Sequence, residues 1–548
     1  MTEERRMVRL TPTTLNLVSR LQKARTTKAW FFRTHQQKTI RNLLLRLGAA
    51  GEAAALPCVA RFLSDSSTEI QQTARSIVRT LLSQVSSCEL MHVGELLSSP
   101  YHWGTADSWG NIVPSEIAGI AGNPEEDGHV AVLGLMTFHR NGYVRHEAVR
   151  QLSTLFDGTE FRFLLIRQND WVEAIAKDAQ AAVAARLVDA KIQFLENSLK
   201  AIFHLASLRR YDHGETIRRT VDIVLREGND SALRRIVNSP SRTVRRQIVR
   251  LGLAKAGDHR RRLVSYGLES DDAVIRLSCC RYLFLVYESE RLTEALNRLL
   301  EDRFMPVRRE AIRQKARRFP DAAPEVWMQA LLDRSRSIRE LACWHVTKTV
   351  RTLPRVFYRA AVQGTPKSLA ALEGLSETAD ESDLAFFRHL LKHPLPSRRC
   401  VALRGLVRIG MESLVNEVLP LLLDDSPSVV RAVCSAIGPY LEVVPRNELF
   451  TAAMDGRLLI ARHRAVGMLA DMDKWDSLPW LLKIASEARE DTAAHAEQII
   501  RKVCARNSVF TTPSQLSRQK ITRELERSAN SVAEEVLALV KSELNRFG

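Results

Sequence analysis

Residues 302–311 read DRFMPVRREA, residues 333–342 read DRSRSIRELA, and residues 425–434 read DSPSVVRAVC. In each, an aspartate is followed five residues on by a β-branched residue, six on by arginine and nine on by a small residue: Asp302/Val307/Arg308/Ala311, Asp333/Ile338/Arg339/Ala342 and Asp425/Val430/Arg431/Cys434. Two residues four apart share one face of a helix, so the apolar and small positions point together into a core. The small residue lets a neighbouring helix come close. An aspartate just ahead of such a helix is placed to accept from its free amide groups. The arginine points sideways from the apolar face, toward the aspartate of an adjacent copy, and a charge-assisted bond there would tie copies together.

Weaker copies extend the pattern in both directions: Asp65/Ile70/Gln71/Ala74, Val144/Arg145/Ala148, Asp170/Ile175/Ala179, Val244/Arg245/Ile248, Ile275/Arg276/Cys279, Arg399/Ala402 and Asp455/Arg462/Ala465. The marker arginines 245, 276, 308 and 339 are spaced by 31 or 32 residues, as are 399, 431 and 462. A fixed beat of this length is the mark of a helical-repeat array.

The six-residue offset from Asp302 to Arg308 resembles that of HEAT repeats, and the short period is similar to the phycobilisome-lyase type. The resemblance covers most of residues 50–500. It implies an all-α chain, an α-solenoid of stacked helix pairs, with roughly 14 to 16 pairs at this period. It also implies that Asp302, Arg308, Asp333, Arg339, Asp425 and Arg431 are ladder residues holding repeats together. The family's repeats serve scaffolds, nucleic-acid binders and a few enzymes, so the resemblance implies a fold and leaves function open.

The array has ends and one interruption. Residues 1–50 form an N-terminal helical cap, residues 51–510 the array, and residues 511–548 a C-terminal helical tail. In the tail Ile521, Leu525, Val532, Val536, Leu539 and Leu544 fall at helical spacing, as a cap or a self-association helix would require. Gln71 and Arg145 stand 74 residues apart where two repeats need fewer. The surplus is an insert at 98–128 rich in Gly, Pro, Asn and Asp. Its aromatics, Tyr101, Trp103 and Trp109, are a candidate partner-binding loop, the alternative being that they pin the loop to the array.

Composition narrows the function classes. With 45% hydrophobic and 26% charged residues, the chain has enough apolar surface to fold. The N-terminal residues MTEERRMVRL carry charge from the third position, and no apolar run approaches the roughly 20 residues that span a bilayer. A soluble, cytoplasmic protein without membrane insertion is expected. Eight cysteines without a Cys-x-x-Cys pair argue against a disulfide framework or a structural zinc site, and Cys343 and Cys434 are expected to be buried small residues.

The net charge of +17 is concentrated: residues 205–362 hold 33 basic against 19 acidic side chains. Within that segment Arg246, Arg250, Arg260, Arg261, Arg262, Arg309, Arg313 and Arg317 are candidate polyanion-binding residues, the last three spaced four apart on one helix face. Ladder arginines are already neutralised, however, and a basic face equally suits an acidic protein.

Phosphate-binding glycine loops, Gly-x-Ser-x-Gly and His-Glu-x-x-His are absent. His389 and His393 give two potential ligands where a metal needs three or four, and His146-Glu147 is a single His-Glu dipeptide where HEAT-repeat hydroxylases use several. No catalytic residue, metal ligand or cofactor site is assigned. A base-excision glycosylase of HEAT-like type would need aromatics and a carboxylate on a basic face, for which Trp327, Trp344 and Asp333 are available. Asp333 is better read as a capping residue, and Trp344, next to the small residue of its repeat, as packed. The preferred reading is a non-enzymatic scaffold that binds a protein partner through an extended surface, with a nucleic-acid-binding array as the alternative. The oligomeric state and the partner's identity are not encoded in any motif.

Overall fold

The computed structural model describes residues 10–26, 33–87, 89–98, 109–187, 192–363, 368–505 and 512–546. Among these residues every regular element is a helix and none is a strand. The chain divides into two compact units, Met1–Glu310 and Ala311–Gly548.

The first unit opens with helices Pro12–Thr26 and Arg33–Ala50, which pack on each other, the second also packing on Thr68–Ser83. Leu17, Leu21, Ile40, Leu43, Leu44 and Leu47 are all buried there. Further along, each helix packs on its hairpin partner and on the helix two places away: Gly142–Ser153 meets Glu173–Arg186, and Arg242–Ala254 meets Ala273–Cys280. A single hairpin leaves one apolar face in water. Stacking covers it, and each buried Leu or Val then contributes about 1.5–3 kcal/mol.

The second unit repeats this logic. Helices Leu369–Thr378, Pro396–Gly410, Pro427–Ile437, Leu459–Asp471 and Glu490–Ala505 pack successively, each on the next. Proline starts two of them, where its missing amide and fixed φ cost nothing. Small residues set the approach: a Cβ on Gly405 would lie 2.5 Å from the Phe387 ring, so only glycine fits. Helices Gln515–Arg527 and Glu534–Arg546 pack on Lys474–Glu487 and Glu490–Ala505 respectively. Their stripe is buried at Ile521, Leu525, Val536, Leu537 and Val540, and Lys474 bonds Glu543 at 2.7 Å. Most of the tail's apolar stripe is thus covered within the chain, while Leu516 stays exposed.

Candidate binding groove

The groove is positioned by a polar ladder. In the first unit Arg145 bonds Asp170 (3.1 Å), Arg245 bonds Asp272 (3.0 Å) and Arg276 bonds Asp302 through both Nε (2.7 Å) and Nη2 (2.9 Å). In the second, Arg399 bonds Asp424 (2.7 Å) and Arg462 bonds Asp491 (2.5 Å) and Thr492 (2.8 Å). Each arginine also donates through Nη1 to the carbonyl six residues before it: Arg145 to His139, Arg245 to Ser239, Arg276 to Ser270, Arg308 to Asp302, Arg339 to Asp333, Arg399 to His393 and Arg462 to Gly456, at 2.8–3.1 Å. Gln71 makes the same bond to Asp65. One side chain therefore closes its own turn and grips the next repeat. Arg339, 2% exposed, reaches Glu373 and Glu377 on the following helix instead of an aspartate in a turn.

The aspartates work differently from simple helix caps. Asp170, Asp302, Asp333 and Asp424 accept from the amide two residues on, those of Val172, Phe304, Ser335 and Ser426, closing the turn that leads into the helix. Asp272 makes the same bond to Val274 from the cap position itself. Burial alone would push the Asp272 carboxyl up, but bonds from Arg246, the Val274 amide and Arg245 outweigh it and hold the group at about 2.

This geometry corrects one expected ladder pair. Asp424, not Asp425, closes the turn and takes the ladder bond, which shifts the repeat by one residue: Val429 is the core position, and Val430 stands where other copies carry arginine. Both valines are fully buried. Asp425 pairs with Arg457 on the surface, and Arg431 is exposed, with no ion-pair partner among the described residues.

Counting from the ladder position identifies the face left over. In the second unit the residues one, five and nine places on are Arg404 and Arg408 after Arg399, Arg431 and Ser435 after Val430, and His463, Gly467 and Asp471 after Arg462. All seven line two hollows of about 730 and 860 Å³ that share Ser435 and so form one groove. Seven arginines line it against three carboxylates. Glu373 and Glu377 are engaged by Arg339 and Arg404, whereas Arg408, Arg431 and Arg464 are exposed and have no ion-pair partner among the described residues. His463 and His495 stack at 4.0 Å. Burial, with repulsion from His463 and Lys502, lowers the pKa of His495, and Arg431 and Arg464 line the same hollow.

The candidate polyanion residues are scattered. Arg246 is tied to Asp272, Arg260 to the carbonyls of Leu253 and Lys255, and Arg262 to Asp230 and the carbonyls of Leu225 and Arg226. Arg250 bonds only Gln247, and Arg261 is exposed. On helix Met305–Arg318, Arg309 is half-buried while Arg313 and Arg317 are exposed, all three without a carboxylate partner among the described residues. Total charge over 205–362 thus overstates the available cations, and the arginine-lined groove lies mostly C-terminal to that segment. The signal that locates it is register: Arg404 and Arg408 sit five and nine places after a ladder arginine, as Arg313 and Arg317 do after Arg308.

Of the insert's aromatics, Tyr101 and Trp103 lie outside the described residues. Trp109 is buried, its ring edge-on to His139 at 5.2 Å and its carbonyl bonded to His139 Nε2, so it is part of the core and not a contact residue. The glycosylase set does not assemble. Trp327 is buried and stacked on His345 at 3.8 Å, and the Asp333 carboxylate closes a turn. Trp344 is 53% exposed, with Lys348 over its ring at 4.3 Å; it stands five places after Arg339, on the helix side that carries Arg313 in the preceding repeat, and is not packed as expected. Cys434 is buried, but Cys343 is only partly so and lies 3.9 Å from the Tyr358 hydroxyl. No described helix is long and apolar enough to cross a membrane.

Fold and groove together define an all-helical repeat protein with an open, cation-lined face. No family model and no curated protein matches the chain. The chain is similar to one in a homology model of the full-length AP-3 complex in an intermediate open conformation (10% identity, 97% of this chain and 93% of that chain, TM-score 0.35). A structure of Kap95p binding to RanGDP contains another similar chain (11%, 97% and 88%, 0.28), as does importin beta in an ammonium sulfate condition (10%, 97% and 84%, 0.27). The fold assignment rests on the helix packing and the ladder, not on these likenesses.

Proposed function

We propose that the chain is a non-enzymatic, HEAT-like scaffold that binds a protein partner through an extended surface. The observation that carries this reading is the groove of the second unit, open along successive helices and lined by exposed side chains, Arg408, Arg431 and Arg464 among them, that hold no ion pair among the described residues. Extended faces of this kind gain affinity from many modest contacts. The short-period subtype of HEAT repeat, a cytoplasmic location and the division into cap, array and tail at residues 50 and 510 belong to the same proposal. Tyr101 and Trp103 remain candidate contacts within the insert. The test is capture of partners from nuclease-treated extract by the full chain, followed by mass spectrometry. Recovery that survives nuclease supports a protein partner, and recovery that vanishes with nuclease overturns it.

A second reading, nucleic-acid binding, is favoured by a specific observation: Arg313 and Arg317 are free of carboxylates, and the exposed Trp344 occupies the equivalent side of the next repeat. Guanidinium groups matched with an exposed aromatic suit a phosphate backbone with a stacked base. Affinity for single-stranded oligonucleotide that falls steeply with salt, and falls again in Arg313→Glu/Arg317→Glu, supports it. No binding at low salt excludes it.

A further inference from the structure

We infer that the groove of the second unit takes an extended acidic segment of a partner protein that carries aliphatic side chains among its carboxylates. This inference rests on the scaffold reading and names the chemistry of its partner.

Charge is the first argument. Of the three carboxylates, Glu373 and Glu377 are consumed by Arg339 and Arg404, so against the remaining Asp471 the groove presents the guanidinium groups of Arg408, Arg431 and Arg464, none of them in an ion pair among the described residues, to whatever enters. A basic or neutral peptide would leave these cations without partners, whereas carboxylates meet them in forked, charge-assisted pairs.

The second argument is the lining between the cations. Val407, Leu459, Ile460 and Met468 line the groove, with Val407 and Leu459 largely exposed in it. Aliphatic patches gain from aliphatic partners. No Trp, Tyr or Phe lines either hollow, and the aromatic rings that do, His463 and His495, are stacked on each other, so a nucleic acid would find phosphate contacts here but few open faces on which to stack bases. That absence favours a peptide in this groove even if the face of Arg313 and Trp344 binds nucleic acid.

The floor is the third. Ser435, Ala432 and Ala436 keep it low, and Gly467 lies inside helix Leu459–Asp471 although a Cβ there would touch nothing within 4 Å. Unlike Gly405, Gly467 is not demanded by any neighbour in the chain. Glycine inside a helix is unfavourable relative to alanine, and its benefit here is room for a visiting backbone. The groove residues come from six successive helices, Arg336–His345 through Glu490–Ala505. At about 9 Å per helix and about 3.3 Å per extended residue, the groove spans on the order of 14 residues.

The experiment uses the full chain and four fluorescent probes: a 15-residue peptide of alternating Glu and Leu pairs, a peptide with Leu replaced by Ser at the same charge, a charge-reversed peptide with Lys for Glu, and a single-stranded oligonucleotide of the same charge. The Glu/Leu peptide is expected to bind at least tenfold more tightly than the Ser-substituted one, with no measurable binding of the Lys peptide. Arg408→Glu/Arg431→Glu/Arg464→Glu should weaken it at least tenfold while the melting temperature is unchanged, because none of the three holds an ion pair. Gly467→Leu should weaken it as well without loss of stability. Equal affinity for the Glu/Leu and Ser-substituted peptides, an oligonucleotide that displaces the Glu/Leu peptide at equal concentration, or a triple variant that binds unchanged would each overturn the inference. If the triple variant still captures the partners recovered by the wild-type chain, the scaffold reading stands and the groove assignment falls.

Discussion

Removing one rung of the ladder tests the energetic core of the fold. Arg276 is nearly buried and makes a forked pair with Asp302 and a third bond to the Ser270 carbonyl. Arg276→Met keeps the aliphatic stem, so packing is largely conserved. It leaves the Asp302 carboxylate, 8% exposed, with its Phe304 amide bond but without the Arg276 fork, and the Ser270 carbonyl without its donor. Breaking a buried pair by deleting one partner costs about 3–5 kcal/mol. Because Asp302 keeps its bond from the Phe304 amide, the low end, about 3 kcal/mol, is expected. In a stack the cost falls on the neighbouring repeats and not on the whole molecule, so a single global unfolding energy is the wrong readout. Hydrogen exchange read by mass spectrometry is the right one. At about 1.4 kcal/mol per decade, amides of Ala273–Cys280 and Ser289–Leu300 should exchange roughly a hundredfold faster, while those of Leu459–Asp471 are unchanged. Arg276→Met with Asp302→Asn should recover part of the loss, since the buried carboxylate deprived of its Arg276 fork is gone. Acceleration below threefold in the two local helices, or equal acceleration throughout, would refute the view that arginine and aspartate lock adjacent repeats.

Three further outcomes follow from the same geometry. Arg339→Ala should cost about 3–5 kcal/mol and Arg431→Ala less than about 0.5 kcal/mol, since one is buried on two glutamates and the other is exposed and unpaired; thermal melts that rank them the other way would restore the register with Asp425. Asp272, held at about 2 against about 3.9 in an unfolded chain, binds its proton more weakly when folded. Its contribution, about 2.5 kcal/mol, is therefore full above about pH 4 and disappears as pH falls toward 2, so the stability difference between wild type and Asp272→Asn should shrink over that window, and a constant difference would contradict the assignment. Ala311→Asp places a carboxylate where the side chain is fully buried, and a melting temperature within 2 °C of wild type, against an expected loss of at least about 3 kcal/mol, would show that the position is not in the core.

What the sequence makes legible is what repeats. Val307 with Ala311 and Ile338 with Ala342 recur at one spacing, and all four are buried because the period alone decides which side of a helix meets its neighbour. The pair at 424–425 resists reading because two aspartates stand together and Val429 and Val430 are both apolar. The bonds that the Ser426 amide and Arg399 donate to Asp424 decide between the two registers. Trp109 resists for another reason: a loop-like composition says nothing about whether the aromatic within it is covered, and here His139, 30 residues away, covers it. Segment charge misleads because it adds arginines whose charge is spent, such as Arg245 and Arg276, to arginines whose charge is free.

The ladder also explains why recognition and stability separate so cleanly on this chain. Relative to Arg276 or Arg339, the position before it and the position three after it enter the core, as Ile338 and Ala342 do, and the arginine itself is bonded to its own turn and to the next repeat. Within a helix of three to four turns, that leaves the positions one, five and nine after it as the open row. Substitution there meets mainly solvent or ligand and few contacts between repeats, the pairs of Arg246 with Asp272 and Arg404 with Glu373 among them, so such residues diverge at little cost to the fold: Arg404, Ser435 and Gly467 occupy equivalent places with unrelated side chains. Trp344 belongs to the same series, which is why an indole stands exposed where packing was expected. The array therefore reads as a fixed frame carrying a variable row. Substitutions in that row should change binding with little change in melting, and substitutions at the core and ladder positions should do the reverse. A set of ten variants split between the two classes, measured for both properties, would break this argument if binding loss tracked stability loss across all ten.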